Sequence, residues 1–322
     1  MKKILCLLVL LLLAGCGAAE PPGETAAATT APLPVQTQPQ ILEEAVAMAE
    51  APAPPAALVL RPEAPGTREE RSADAVIDYS HTRQGYVMVC YTAPAEKRLK
   101  VRVTGPTTTY TYNLPQGEWT AFPLSDGNGE YRVTVYINTV DSKYATVLSA
   151  VFPVELEDEF APFLRPNQYV DYTAAENTVA LGAALCDGLI HPLEKVAAVY
   201  DYVVAELSYD YDKAATVKSG YLPVLDTVLE EKKGICFDYA ALMSAMLRSQ
   251  QVPCKLVVGY AGTVYHAWIS VWTEESGWID GVVFFDGHSW KRMDPTFDSS
   301  SGHSPEILDF IENGNYTVKY LY

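Results

Sequence analysis

The sequence predicts an α+β protein, with an antiparallel β-sandwich ahead of a domain of helices and strands. Three observations carry that expectation. Between Asp74 and Leu156, short apolar and polar residues alternate, and strand-like runs recur about every ten residues. Between Ala175 and Gln251 the apolar spacing lengthens to that of helices. From Lys255 onward the strand pattern returns.

The chain opens with Lys2 and Lys3, then an apolar run from Ile4 to Leu13. That run is shorter than the roughly 20 apolar residues a transmembrane helix needs, so residues 1–16 read as an export signal. The run ends in Leu13-Ala14-Gly15-Cys16, which resembles the bacterial lipobox. That resemblance implies lipidation of Cys16 and anchoring to the outer face of a membrane at the bacterial cell surface. Residues 17–73 are rich in Ala, Pro, Thr and Glu, with almost no aromatics. Such a segment buries too little apolar surface to offset its ordering entropy, and reads as a disordered tether. A flexible chain of about 55 residues spans roughly 40 Å. A short helix fits Ile41 to Ala51.

Residues 74–158 form the expected sandwich. Tyr86–Tyr91, Leu99–Val103, Thr109–Tyr112, Trp119–Leu124, Tyr131–Ile137 and Tyr144–Val154 read as strands. Ser125-Asp126-Gly127-Asn128-Gly129 marks a turn between two of them. No catalytic cluster falls here. Tyr110, Tyr112 and Trp119 fit cross-strand packing better than a ligand face.

Residues 159–322 form the second domain. An ordered connection rich in Pro and aromatics leads to helices at Ala175–Leu189 and Pro192–Leu207. Tyr209–Leu225, containing Gly220 and Pro223, reads as a loop. A helix at 236–251 opens on Gly234-Ile235-Cys236. Strands follow at Lys255–Gly259, Tyr265–Trp272, Val282–Phe285 and Trp290–Met293. A helix from Pro305 and a strand at Tyr316–Tyr322 close the chain.

Charge and cysteine usage narrow the function. There are 23 Lys and Arg against 40 Asp and Glu, for a formal net charge of −17. Removal of residues 1–15 takes two lysines and no acid, giving −19. Such a chain lacks the basic footprint of a nucleic-acid binder. Beyond Cys6 and Cys16 the cysteines are Cys90, Cys186, Cys236 and Cys254, with no Cys-x-x-Cys spacing, so a zinc cluster is not indicated. A disulfide between Cys90 and Cys186 stays open.

Cys236, His266 and Asp294 are the catalytic candidates. A thiol nucleophile needs an imidazole to take its proton, and the imidazole needs a carboxylate to fix its tautomer. Cys236 opens a helix, where the partial positive charge favours thiolate and free N–H groups can stabilise an oxyanion. His266 lies in an apolar, aromatic strand, where alternation places it on one face with Trp268. Asp294 ends a strand, and Pro295 holds it extended. His81, His191, His288 and His303 read as surface residues. Asp286 is a competing acid in a hairpin turn. Asp238 reads as a helix cap. A zinc site built from the same thiol, imidazole and carboxylate is disfavoured by the single cysteine.

The stretch from Tyr209 to Phe297 resembles the transglutaminase-like superfamily. The matching residues are Ser208-Tyr209-Asp210, Lys233-Gly234-Ile235-Cys236-Phe237-Asp238-Tyr239-Ala240, Leu247-Arg248, Val252 to Tyr260, His266-Ala267-Trp268, Trp290 and Asp294-Pro295-Thr296. The resemblance implies a papain-like core in which Cys236 is the nucleophile, His266 the base and Asp294 the orienting acid. It implies no cofactor and no metal. Asp210 is expected to pack or cap near the Cys236 helix. Pro253-Cys254-Lys255 departs from the family's usual Ile-Pro-Ala-Arg segment and puts a second thiol near the site. The implied reaction is acyl transfer on amide bonds through a thioester, in hydrolysis or cross-linking. Its substrates would be peptides or proteins, cell-wall peptides among them. The alternative is a weakly active or inactive peptide-binding module.

Overall fold

A computed structural model describes residues 57–94, 96–280, 282–285, 290–296 and 315–322. The export signal with Cys16, most of the tether, the Ile41–Ala51 helix, Asp286, His288, His303 and the helix from Pro305 lie outside the described residues.

The expected sandwich is present as two four-stranded antiparallel sheets. One holds β1 (Glu69–Arg71), β2 (Ala75–Asp78), β3 (Tyr86–Tyr91) and β6 (Thr120–Pro123), in the order β1-β2-β3-β6. The other holds β4 (Leu99–Thr104), β5 (Thr109–Leu114), β7 (Gly129–Asn138) and β8 (Tyr144–Val154), in the order β5-β4-β7-β8. Alternation builds the interior: Leu99, Val101 and Val103 of β4 point inward with Tyr110, Tyr112 and Leu114 of β5, and their neighbours face outward. Every residue of β3 is buried, because chain on both sides covers it.

Part of that cover corrects the expected tether. Residues 57–73 are laid on the body: the Leu58 N–H donates to the Ser249 carbonyl, Tyr86 Oη accepts from the Glu63 N–H, and β1 pairs with β2. Composition missed this because backbone and side-chain hydrogen bonds hold the segment.

Beyond the sandwich, a 3-10 turn at Ala161–Leu164 precedes α1 (Glu176–Leu185) and α2 (Pro192–Glu206). Residues 209–225, expected as a loop, contain more. Two-residue strands β9 (Ser208–Tyr209) and β10 (Lys233–Gly234) pair in parallel and bracket α3 (Tyr211–Thr216) and α4 (Leu225–Glu231). No residue of α3 is buried, so it has no apolar stripe for a sequence reading to detect.

Helix α5 (Cys236–Ser249) is the axis of this half, and all but its first two residues are buried. It packs on a sheet of β11 (Cys254–Ala261), β12 (Val264–Thr273), β13 (Gly277–Ile279) and the last strand, Tyr316–Leu321. Between β13 and that last strand, β14 (Val282–Phe285) and β15 (Trp290–Met293) form a hairpin, which makes the last strand β16. The sheet order is β13-β12-β11-β16, antiparallel throughout.

Gly259 lets this sheet close over the site. It sits opposite His266 of β12 and Val318 of β16, where the register slips. A Cβ at Gly259 would lie 2.0 Å from the Thr317 carbonyl oxygen and 2.8 Å from the Trp268 ring, so no other residue fits without displacing backbone. Arg248 of α5 is fully buried and donates to the carbonyls of Cys254, Arg165 and Tyr322, tying the helix to three surrounding segments.

The two halves share one core. Tyr110 and Tyr112 pack tilted or edge-on against Tyr320, Tyr322 and Tyr169 of the second half, so they pack across the domain boundary as well as across strands. Ser125 Oγ donates to the Leu321 carbonyl at the same seam. Trp119 stays 43% exposed. Among the described residues, no helix is long and apolar enough to cross a membrane.

Candidate active site

The structure brings Cys236, His266 and Asp294 together. Cys236 is the first residue of α5 and is half-buried at the floor of a cleft. His266 stands near the start of β12, 4% exposed. Ala267, Ile269 and Val271 of the same strand enter the core beneath α5, while His266 and Trp268 share a face, their rings 6.1 Å apart and nearly parallel. Asp294 follows β15 and is 1% exposed.

His266 Nε2 and Asp294 Oδ2 are 2.7 Å apart, and the His266 ring lines the same cleft as the Cys236 side chain. Burial pulls the His266 pKa down. The Asp294 carboxylate and its hydrogen bond, with the Cys236 side chain nearby, outweigh it and hold the imidazole well above its ordinary value. The charged imidazole is therefore the form this site favours.

Asp294 is itself held in place. Its Oδ1 accepts the Thr296 N–H and its Oδ2 accepts the Tyr316 hydroxyl, each at 3.1 Å. Tyr316 also packs edge-on against His266 and Trp268. Sequence reading missed Tyr316, which reaches the site only because β16 pairs with β11 beside β12.

Asp238 caps α5 as expected, accepting the Ile235 N–H at 2.8 Å. It also does more. Its fully buried carboxylate pairs with Lys213 Nζ at 2.7 Å and accepts the Tyr221 hydroxyl. Lys213 offsets the negative charge that Asp238 places two residues from the thiol. The same contacts pin α3 and the following loop to the base of α5. Asp210 packs near the start of the Cys236 helix as expected, its N–H donating to the Gly234 carbonyl and its carboxylate pairing with Lys233, and the same carboxylate caps α3 by accepting the Lys213 N–H. The Lys213 backbone bond and Lys233 hold its pKa below the usual carboxylate range.

The remaining thiols stand apart. Cys254 is completely buried against Ser244, and burial pushes its pKa up to about 11. The second thiol suggested by Pro253-Cys254-Lys255 thus belongs to the core. Cys90 and Cys186 are buried free thiols, which closes the question of a disulfide between them. Lys255, the other departure in that segment, lies over the Trp278 ring at 3.5 Å. His191 caps α2, accepting the Leu193 N–H, and His81 stacks on Tyr86; neither approaches the cleft.

The cleft has a volume of about 530 Å³. Tyr169, Tyr209, Tyr221, Phe237, Tyr265 and Tyr322 give it aromatic walls, and residues 217–221 form one side. Among the described residues, no group of His, Cys, Asp and Glu has the arrangement of a metal site.

A helix-borne thiol, an imidazole on the facing sheet and a buried carboxylate behind it define a Cys-His-Asp protein of the α+β class. Residues 180–281 match the model of the transglutaminase-like superfamily, and the chain carries a transglutaminase-like domain. It is 28% identical over 178 residues to the protein YebA of Bacillus subtilis, covering 49% of this chain and 24% of that protein. It is 29% identical over 115 residues to a protein-glutamine gamma-glutamyltransferase of Pseudomonas aeruginosa, covering 31% of this chain and 17% of the relative. The matches thus span a quarter or less of those relatives. Among solved structures, the periplasmic domain of TgpA from Pseudomonas aeruginosa aligns over 74% of this chain and 99% of that one, with 16% identity and a TM-score of 0.34.

Proposed function

We propose that this protein is a cysteine-dependent acyltransferase acting on amide bonds of peptides or proteins. The observation that carries the reading is the pair His266–Asp294 at 2.7 Å, with Cys236 and the same ring lining one aromatic cleft. Cys236 Sγ, as thiolate, attacks the amide carbonyl carbon. The C–N bond then breaks as the His266 imidazolium gives its proton to the departing amine. With Nε2 committed to Asp294, Nδ1 is the nitrogen left for this transfer. The Cys236 N–H, at the start of α5, is the first candidate donor to the developing oxyanion. The product is a thioester on Cys236. Water releases an acid from it, an amine forms a new amide, and the proton returns through His266.

Asp294 keeps the imidazole oriented and charged, and Tyr316 and Thr296 keep Asp294 oriented. We place the protein at the bacterial cell surface, held by a lipid on Cys16 and lifted off the bilayer by the tether. The Leu13-Ala14-Gly15-Cys16 run supports that placement.

The test is to incubate the protein with glutamine-containing peptides, in water alone and with a primary amine, and to follow Cys236 by intact mass. An acyl adduct on Cys236 is expected, with free acid or a new amide as product. Absence of any adduct across a broad peptide set overturns the enzyme reading and favours a peptide-binding module.

A further inference from the structure

We propose that an acidic peptide segment, flanking the attacked amide in the acyl donor, occupies a basic groove that leaves the Cys236 cleft at Ser219 and runs over the edge of the sandwich. This rests on the acyl-transfer reading above.

Acids outnumber bases 40 to 23 in this chain, yet among the described residues no Asp or Glu lines the cleft, and Lys218 is its one lysine or arginine. Ser219, the next residue, also lines a second cavity of about 510 Å³. The other polar residues of that cavity are Lys97, Arg98, Lys100, Asn113 and Gln116, again with no acid among them. The two spaces adjoin directly. Gly220 has φ +91°, and a Cβ there would lie 2.6 Å from Asn113 Nδ2, so the 217–221 wall of the cleft rests on β5 of the sandwich. Lys218 and the three cations of the second cavity therefore lie along one path.

Their charge is not offset locally. Among the described residues none of the four forms an ion pair. Arg98 donates to the Asp141 carbonyl and Lys100 to Asn113 Oδ1, both neutral acceptors. Burial and the neighbouring Arg98 lower the Lys100 pKa. A positive groove on a strongly negative protein draws an anionic ligand to that place, while the rest of the surface repels it. A nucleic acid would meet the net charge of −17 elsewhere on the surface. A chain that also presents an amide to Cys236 is a polypeptide, and its carboxylates are the anions.

The experiment uses the full chain and two peptides that share a reactive glutamine and differ only in four flanking Glu or four flanking Gln. Lys97→Gln/Arg98→Gln changes two exposed side chains. The acidic peptide is expected to show the higher kcat/KM, to lose roughly 3- to 10-fold in the double variant, and to lose its advantage at high salt. The neutral peptide should be unaffected. Equal use of both peptides, or a preference that survives the double variant, overturns the proposal. Anisotropy of the labelled peptides on Cys236→Ala, with and without the double substitution, reads the groove independently of chemistry. If no acyl adduct forms but acidic binding weakens with the substitution, the groove stands and the acyl-transfer reading falls. Tighter binding of polyphosphate than of the acidic peptide overturns the peptide assignment.

Discussion

Asp294→Asn isolates what the buried carboxylate does. The side chain keeps its volume and can still accept from the Thr296 N–H, but the charge 2.7 Å from His266 Nε2 is gone. His266 and Asp294 side chains are 3% and 2% exposed, so water cannot replace that charge. Removing one partner of a buried ion pair costs about 3–5 kcal/mol. If all of it appears in the barrier, acylation slows by roughly 10² to 10⁴. The pH dependence follows from the direction of the His266 shift. Its folded pKa is raised, so the pair's contribution to stability is full below the unfolded value of about 6.5 and is lost as pH rises through the folded pKa. The stability gap between wild type and Asp294→Asn is therefore widest in acid and narrows toward alkaline pH. The assay is single-turnover acylation together with thermal unfolding from pH 5 to 10. A variant with wild-type acylation, or a stability gap that widens with pH, refutes the argument.

Cys236→Ala should abolish the covalent adduct, and His266→Ala should come close to it, since the thiolate loses its counter-ion and the amine its acid; Cys236→Ala should leave Tm nearly unchanged while His266→Ala, which strands the buried Asp294 carboxylate, should lower it, and a Cys236→Ala protein that only unfolds would make that cysteine structural. Iodoacetamide at neutral pH should modify half-buried Cys236 well before Cys90, Cys186 and Cys254, whose thiols burial pushes up, as peptide mapping would read directly. Gly259→Ala should cost about 1–3 kcal/mol or prevent folding, because its Cβ meets the Thr317 backbone; an unchanged denaturation midpoint would contradict the packing described. Cys16→Ser should move the protein from the membrane fraction to the soluble one with its folded half intact, and unchanged partition would remove lipidation from the reading.

The sequence by itself picked out the three residues that the structure brings together. Cys236, His266 and Asp294 were legible because each sits where local rules speak clearly: a helix start, an alternating strand and a strand end fixed by proline. Strand and helix periodicities likewise placed β3, β8, β14 and α5 at or near their observed bounds, since these runs are long or strongly apolar. Helix α3 was not legible, because it buries nothing and leaves no apolar period. The ordering of residues 57–73 was also hidden, because hydrogen bonds to Ser249, Asp78 and Tyr86, with little apolar burial beyond Val59, hold that segment.

Only the tertiary structure decided how the site is supported. Tyr316 reaches Asp294 because β16 lies beside β11, and Gly259 leaves room there for the Trp268 ring. Lys213 and Tyr221 reach Asp238 because α3 folds back on the start of α5. Ser219 joins the cleft to the basic face of the sandwich because the 217–221 loop rests on β5. These contacts link residues far apart in the chain through sheet order and loop packing, which no local pattern of residue types encodes.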